Sequence, residues 1–257
     1  MRLSSLMAAA SCVLLVSCSS PPPKPPKDDD LELGLALSTE PDFSTRISDD
    51  ELTSSDGELK LYGEVRSNHI DIEVGLYAFL GGTPASFDGP SFIELDREGQ
   101  ASFELTVAVP GRPTDLRIAT APTAPTAVMN SGVMMRGEVD GATPDTPAEG
   151  CQSARENRDL KATTERPTGL SVARDGTRYT VEWNSPRPEQ TALTRVIVLE
   201  TSRSEVIDCY DIYESGTFEF ESGPADFRIF ALPFGDALRG EPTFAIGGQI
   251  TTVFSAS

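Results

Sequence analysis

The chain is 257 residues long and carries 40 acidic against 21 basic side chains, a net charge of −19, with a single histidine. That excess of negative charge repels phosphate backbones and anionic lipid, which excludes nucleic acid as a partner and basic side chains as a means of holding a membrane. Once an N-terminal signal is discounted, about 240 residues remain, enough for one large domain or two small ones.

The N-terminus has three parts: the cation Arg2, an apolar stretch over residues 3–16, and the closing run Leu15-Val16-Ser17-Cys18. An apolar run this short is the core of a signal peptide, since a bilayer-spanning helix needs about 20 residues. The closing run resembles the lipobox of bacterial lipoproteins. The resemblance implies cleavage before Cys18, diacylglycerol on its sulfur through a thioether, and a palmitate-type acyl chain on its new amine. Residues 1–17, Cys12 among them, are then a discarded signal peptide. Two or more chains anchor stably where one binds only marginally. Ser19 in place of Asp implies the outer membrane by the sorting rule of enteric lipoproteins. The expected address is the bacterial cell envelope, with the membrane as a partner through the lipid anchor. Residues 18–30 continue as Ser-Ser-Pro-Pro-Pro-Lys-Pro-Pro-Lys-Asp-Asp-Asp after the cysteine. Such a proline-rich tether favours a polyproline II rod of about 3.1 Å per residue, roughly 30 Å over ten residues.

Residues 31–140 read as a β-sandwich. Leu59, Leu61, Gly63 and Val65 alternate with Lys60, Tyr62, Glu64 and Arg66, and Ile70, Ile72, Val74, Leu76 and Ala78 alternate with Asp71, Glu73, Gly75, Tyr77 and Phe79. Phe103, Leu105, Val107 and Val109 repeat the rhythm, as do Leu116 with Ile118, and Val133 with Met135 and Val139. Period-two alternation between turn signals such as Asp56-Gly57 and Glu98-Gly99 predicts short antiparallel strands. Gly63-Glu64-Val65 together with Asp96, Gly99, Phe103 and Leu105 resembles the carboxypeptidase-regulatory-like sandwich.

Residues 141–166 read as a linker, with a short polar helix expected over 151–161. Two cysteines, Cys151 and Cys209, remain after the signal is lost and Cys18 is lipidated. In an oxidising compartment they predict one disulfide, with two free buried thiols as the alternative. Over residues 167–257, Leu170 and Val172 precede an Asp175-Gly176 hairpin, followed by Tyr179, Val181 and Trp183 and then Pro186. Strands follow at 195–201, 206–213, 217–220, 227–231 and 244–254. This pattern resembles a fibronectin type III module, with Phe227 where that family usually has tyrosine, and a generic immunoglobulin-like sandwich is the alternative. The expected fold is all-β: two antiparallel immunoglobulin-like β-sandwich domains joined by a linker.

The chain is poorly equipped for catalysis. A Ser-His-Asp triad needs a base oriented by an acid, and a zinc site wants several His or Cys ligands. His69 is the sole histidine and reads as a turn or strand-edge residue. No catalytic residue, metal site or cofactor is assigned. The runs Asp28-Asp29-Asp30 and Asp49-Asp50-Glu51 have oxygen ligands for calcium, but charge runs of this kind serve solubility. Phe43, Phe87, Phe92, Tyr210, Tyr213 and Phe234 do not fit the alternation and are the candidates for a sugar-stacking platform. The expected function is a membrane-anchored envelope lipoprotein whose sandwiches form a non-enzymatic binding or structural module for an envelope protein or glycan. The alternatives are a carbohydrate-binding surface lipoprotein and, below it, a carboxylate-dependent hydrolase.

Overall fold

The computed structural model describes residues 32–44, 51–70, 72–123, 132–141, 150–156, 169–185, 193–200, 205–213, 215–222, 227–234 and 251–254. The chain is all-β over these residues and folds into two sandwiches.

The first is built from β1 (Leu33–Ser38), β2 (Glu51–Leu52), β3 (Glu58–Ser67), β4 (Glu73–Leu80), β5 (Thr83–Ala85), β6 (Phe87–Asp88), β7 (Phe92–Glu94), β8 (Gln100–Ala108), β9 (Thr114–Pro122) and β10 (Val133–Val139). One sheet has the order β1-β3-β8-β6, and the other runs β2-β10-β9-β4-β5 with β7 also on β4. All pairings in the first sandwich are antiparallel except the short β2–β10 contact. The alternating residues Leu59, Leu61, Val65, Val74, Leu76, Ala78, Phe103, Leu105, Val107, Leu116, Ile118, Met135 and Val139 meet in its core. Ile70 is a departure: it precedes β4 and is exposed, because the strand begins only at Glu73.

The glycine-containing motif of the first sandwich has a packing reason. Gly63 is the cross-strand neighbour of Phe103, and a Cβ on Gly63 would lie only 2.0 Å from that ring. The glycine lets the phenyl lie flat across β3. Asp96 accepts the N–H groups of Glu98 (2.8 Å) and Gln100 (3.0 Å), and Gly99 takes φ +73° against the Ser67 carbonyl, so the turn into β8 needs a residue with no Cβ.

The second sandwich comprises β11 (Gln152–Ser153), β12 (Arg155–Glu156), β13 (Gly169–Asp175), β14 (Arg178–Asn184), β15 (Leu193–Glu200), β16 (Val206–Ile212), β17 (Ser215–Glu221), β18 (Phe227–Phe234) and β19 (Thr251–Phe254). Its sheets run β12-β17-β14-β13 and β11-β16-β15-β18-β19. Trp183, Tyr179, Phe218, Phe220 and Phe227 fill its core, with Tyr179 stacked on Phe220 and edge-on to Phe227. The stretch expected as a polar helix is extended instead over its described part. β11 lies parallel on β16 and β12 antiparallel on β17, so residues 152–156 add an edge strand to each sheet of this sandwich. Free sheet edges there capture the backbone hydrogen bonds that a helix would have made internally. The expected strand at 244–254 is described only over 251–254, where it pairs with β18.

Candidate functional site

Taking the expected site residues first, Cys18 and Asp28-Asp29-Asp30 lie outside the described residues, as do Asp49 and Asp50. Cys151 and Cys209 form a disulfide with Cα atoms 5.1 Å apart, fixing β11 beside β16. His69 sits in a turn, where its N–H donates to the Ser67 hydroxyl at 2.9 Å, and its Nε2 is buried with no partner among the described residues. Among the described residues no carboxylate is hydrogen-bonded to its ring. Among the described residues no group of three or more His, Cys, Asp or Glu could hold a metal ion.

The aromatic candidates do not converge. Phe87 packs against the first core, and Tyr210 stacks on Phe218 at 4.0 Å while donating its hydroxyl to Asp208 at 2.9 Å. Phe234 is buried. Phe92 and Tyr213 are exposed, at 48 % and 64 %, but belong to different sandwiches, and Phe43 is half-buried in a turn.

Polar chemistry is concentrated instead where the two sandwiches meet. Tyr77 and Phe79 of β4, Ala119 and Ala121 of β9 and Met134 of β10 form one continuous apolar cluster with Leu193, Ile197 and Leu199 of β15 and Phe230, Leu232 and Phe234 of β18. The β4-β9-β10 sheet of the first sandwich therefore lies face to face on the β15-β18 sheet of the second. The rings of Tyr77 and Phe79 sit 4.8 and 5.0 Å from that of Phe230. Gly75 makes room for this: a Cβ there would meet the Tyr77 hydroxyl at 2.7 Å.

Three arginines are sealed into this interface at 1 % (Arg117), 2 % (Arg195) and 0 % (Arg228) exposure. Each reaches a backbone carbonyl of the other sandwich. Arg117 donates from Nη2 to the Pro233 carbonyl at 2.7 Å, Arg228 from Nη2 to the Pro122 carbonyl at 2.8 Å, and Arg195 from Nη1 to the Gly82 carbonyl at 3.4 Å. Two stack on aromatics across the interface: Arg117 lies 4.2 Å from the Phe234 ring centre and Arg228 5.2 Å from that of Tyr77.

Their charges are compensated unequally. Asp115 accepts from Nε of Arg117 and Nε of Arg136, both at 2.7 Å. Arg195 forms a two-pronged pair with Asp211 at 2.8 and 3.0 Å. Arg228 keeps Nε and Nη1 without a partner among the described residues. Burial pushes its pKa down to about 10, opposed only by the charge of Glu73. Burial also lowers Arg117, opposed mainly by Asp115.

The period-two reading missed this interface because it placed Tyr77 and Phe79 on an outward face. The available signal was that β4, β15 and β18 carry large apolar residues on both faces, the mark of strands covered on two sides. A second signal was the arginine inside β9, β15 and β18, since a buried cation on a sheet needs partners.

No protein-family model matches the chain, and no curated protein does. Among solved structures, a two-domain fibronectin type III segment of chicken tenascin is 11 % identical over 76 % of this chain and 91 % of its own, with a TM-score of 0.27. The CupB2 chaperone of Pseudomonas aeruginosa is 15 % identical over 82 % of this chain and 100 % of its own, TM-score 0.23. A cross-linked adhesin from Mobiluncus mulieris is 12 % identical over 79 % and 80 %, TM-score 0.25. Likeness at this level carries no functional information.

Proposed function

We propose that this chain is a non-enzymatic lipoprotein of the bacterial cell envelope, anchored through lipid on Cys18, whose two sandwiches act as one binding or structural body held off the membrane by the proline-rich tether. The observation that carries this reading is the sealed interface. Among the described residues, the three buried arginines all serve to join the two sandwiches. The sole carboxylate fully buried among the described residues, Asp115, is committed to Arg117 and Arg136, which removes support for a carboxylate-dependent hydrolase. The scattering of Tyr210, Tyr213 and Phe234 removes the geometric basis of a sugar platform. Among the described residues, the outer faces of β1-β3-β8 and β13-β14-β17 are open to a partner and carry exposed charges such as Lys60, Glu104, Arg178 and Glu219.

Two measurements test it. Intact mass of the membrane-extracted protein is expected to show loss of residues 1–17 and an acyl-sized gain on Cys18; an unlipidated mass removes the anchor from the proposal. Crosslinking in intact cells followed by capture is expected to recover the same envelope component reproducibly, and loss of that product when the charges on the outer faces are reversed would locate the contact. Capture of nothing specific overturns the binding role.

A further inference from the structure

We infer that the two sandwiches are copies of one module, fused so that each docks on the other through the same sheet face, and that the partner this face is built for is a second copy of the module. The sequence carries a repeated ten-residue phrase. Residues 113–122 read Pro-Thr-Asp-Leu-Arg-Ile-Ala-Thr-Ala-Pro and residues 224–233 read Pro-Ala-Asp-Phe-Arg-Ile-Phe-Ala-Leu-Pro, sharing the two prolines, the aspartate, the arginine and the isoleucine in register. A shorter phrase repeats upstream, Ser102-Phe103-Glu104-Leu105 against Thr217-Phe218-Glu219-Phe220. The phrases fall on equivalent strands: β9 and β18 for the longer one, β8 and β17 for the shorter.

The strand orders then superpose. β1-β3-β8 corresponds to β13-β14-β17, and β10-β9-β4-β5 to β19-β18-β15-β16. The register agrees to the residue. Arg117 is the cross-strand partner of Phe79, and Arg228 that of Leu199, at matching places in β4 and β15. Shared strand order alone is common among sandwiches of this type, so the weight rests on how the repeated phrase is used. Each copy supplies an arginine near the start of its strand and a proline carbonyl five residues later. Arg117 donates to Pro233, and Arg228 donates to Pro122. The same two positions of each phrase meet each other reciprocally, which is the signature of an isologous, two-fold contact. Two unrelated sandwiches packed by chance would have no reason to exchange the same pair of groups. In the intact chain both faces are occupied, so neither is open to an outside protein.

The two-fold relation makes a test possible in the full-length chain. Between arginine and proline the interface-facing positions are Ala119 and Ala121 in one copy and Phe230 and Leu232 in the other. The variant Ala119→Phe/Ala121→Leu places large side chains on both strands, and Phe230→Ala/Leu232→Ala leaves small ones on both. Each is expected to lower the thermal midpoint by at least about 5 °C, the first by overpacking and the second by leaving a cavity. The four-fold exchange restores one large and one small face, with the same side chains turned about the two-fold axis. Its midpoint is expected to lie above both one-sided variants. A four-fold exchange that melts at or below the better of them, or fails to fold, overturns the inference.

Discussion

Asp115 holds two cations at once, and its removal is the most damaging single change in the interface. With the carboxylate gone, Arg117 would be an unpaired charge at 1 % exposure, with Arg136 beside it. Breaking a buried pair from one side costs about 3–5 kcal/mol, so Asp115→Ala is expected to lower the unfolding free energy read from urea denaturation by about that amount. Arg117→Met is expected to cost less, because Arg136 still satisfies Asp115. A second residue-scale prediction concerns alkaline pH. Arg228 has its pKa lowered to about 10, so above that value the unfolded chain binds the extra proton and stability rises with pH. Tyr210 is pushed from 10.0 up to about 12, first by burial and then by its hydrogen bond to Asp208. Between 10 and 12 the folded state keeps that proton while the unfolded chain loses it, so this contribution falls with pH. The two oppose each other in one window. Tyr210→Phe removes the falling contribution, and its urea midpoint relative to the unsubstituted protein is expected to climb from pH 10 to pH 12. A flat difference across that range would remove Tyr210 from the account.

Among the strands, what could be read in advance depended on whether one face or two were covered. β3, β8, β14 and β17 each have one solvated face, and their alternation placed Leu61, Phe103, Trp183 and Phe220 inward, where the two sandwich cores hold them. In β4 and β18 both faces are buried, and period two then loses its meaning: Tyr77 counts as outward from its own core yet is 6 % exposed. The edge strands β11 and β12 were illegible for a different reason. Two residues each carry no periodicity, and their conformation comes from the disulfide and the open sheet edges. That staple closes a 58-residue separation. Loop-closure entropy for such a loop is about 4 kcal/mol, so Cys151→Ser/Cys209→Ser is expected to lose roughly that much stability and to expose the β11 amides to rapid hydrogen exchange. Within the first sandwich, Gly63→Ala forces the Phe103 ring off β3. An overpacking loss of about 1–3 kcal/mol is expected, recovered in part by Gly63→Ala/Phe103→Leu, which a pair of denaturation curves would show.

At the scale of the molecule, the sheets stack in four layers with three apolar interlayers, and the middle one belongs to both sandwiches. Domains joined by an ordinary linker would each melt on their own. Here Phe230 contributes its ring to the partner's Tyr77 and Phe79, and three arginines lose their carbonyl partners whenever one sandwich unfolds. A sandwich left alone would expose an apolar sheet face with buried charges newly bared upon it, so unfolding one penalises the other. Scanning calorimetry of the detergent-extracted protein is therefore expected to show a single transition whose calorimetric and van't Hoff enthalpies agree. The double variant Phe79→Ala/Phe230→Ala empties the centre of the shared layer, at about 3–5 kcal/mol per ring, while leaving both sandwich cores intact. Its expected outcome is two resolved transitions, because each core still folds but no longer reports to the other. Two transitions already present in the unsubstituted protein would show that the sandwiches are only neighbours. One transition that persists in the double variant would show that the arginine clamps alone, without the aromatic layer, are enough to couple them.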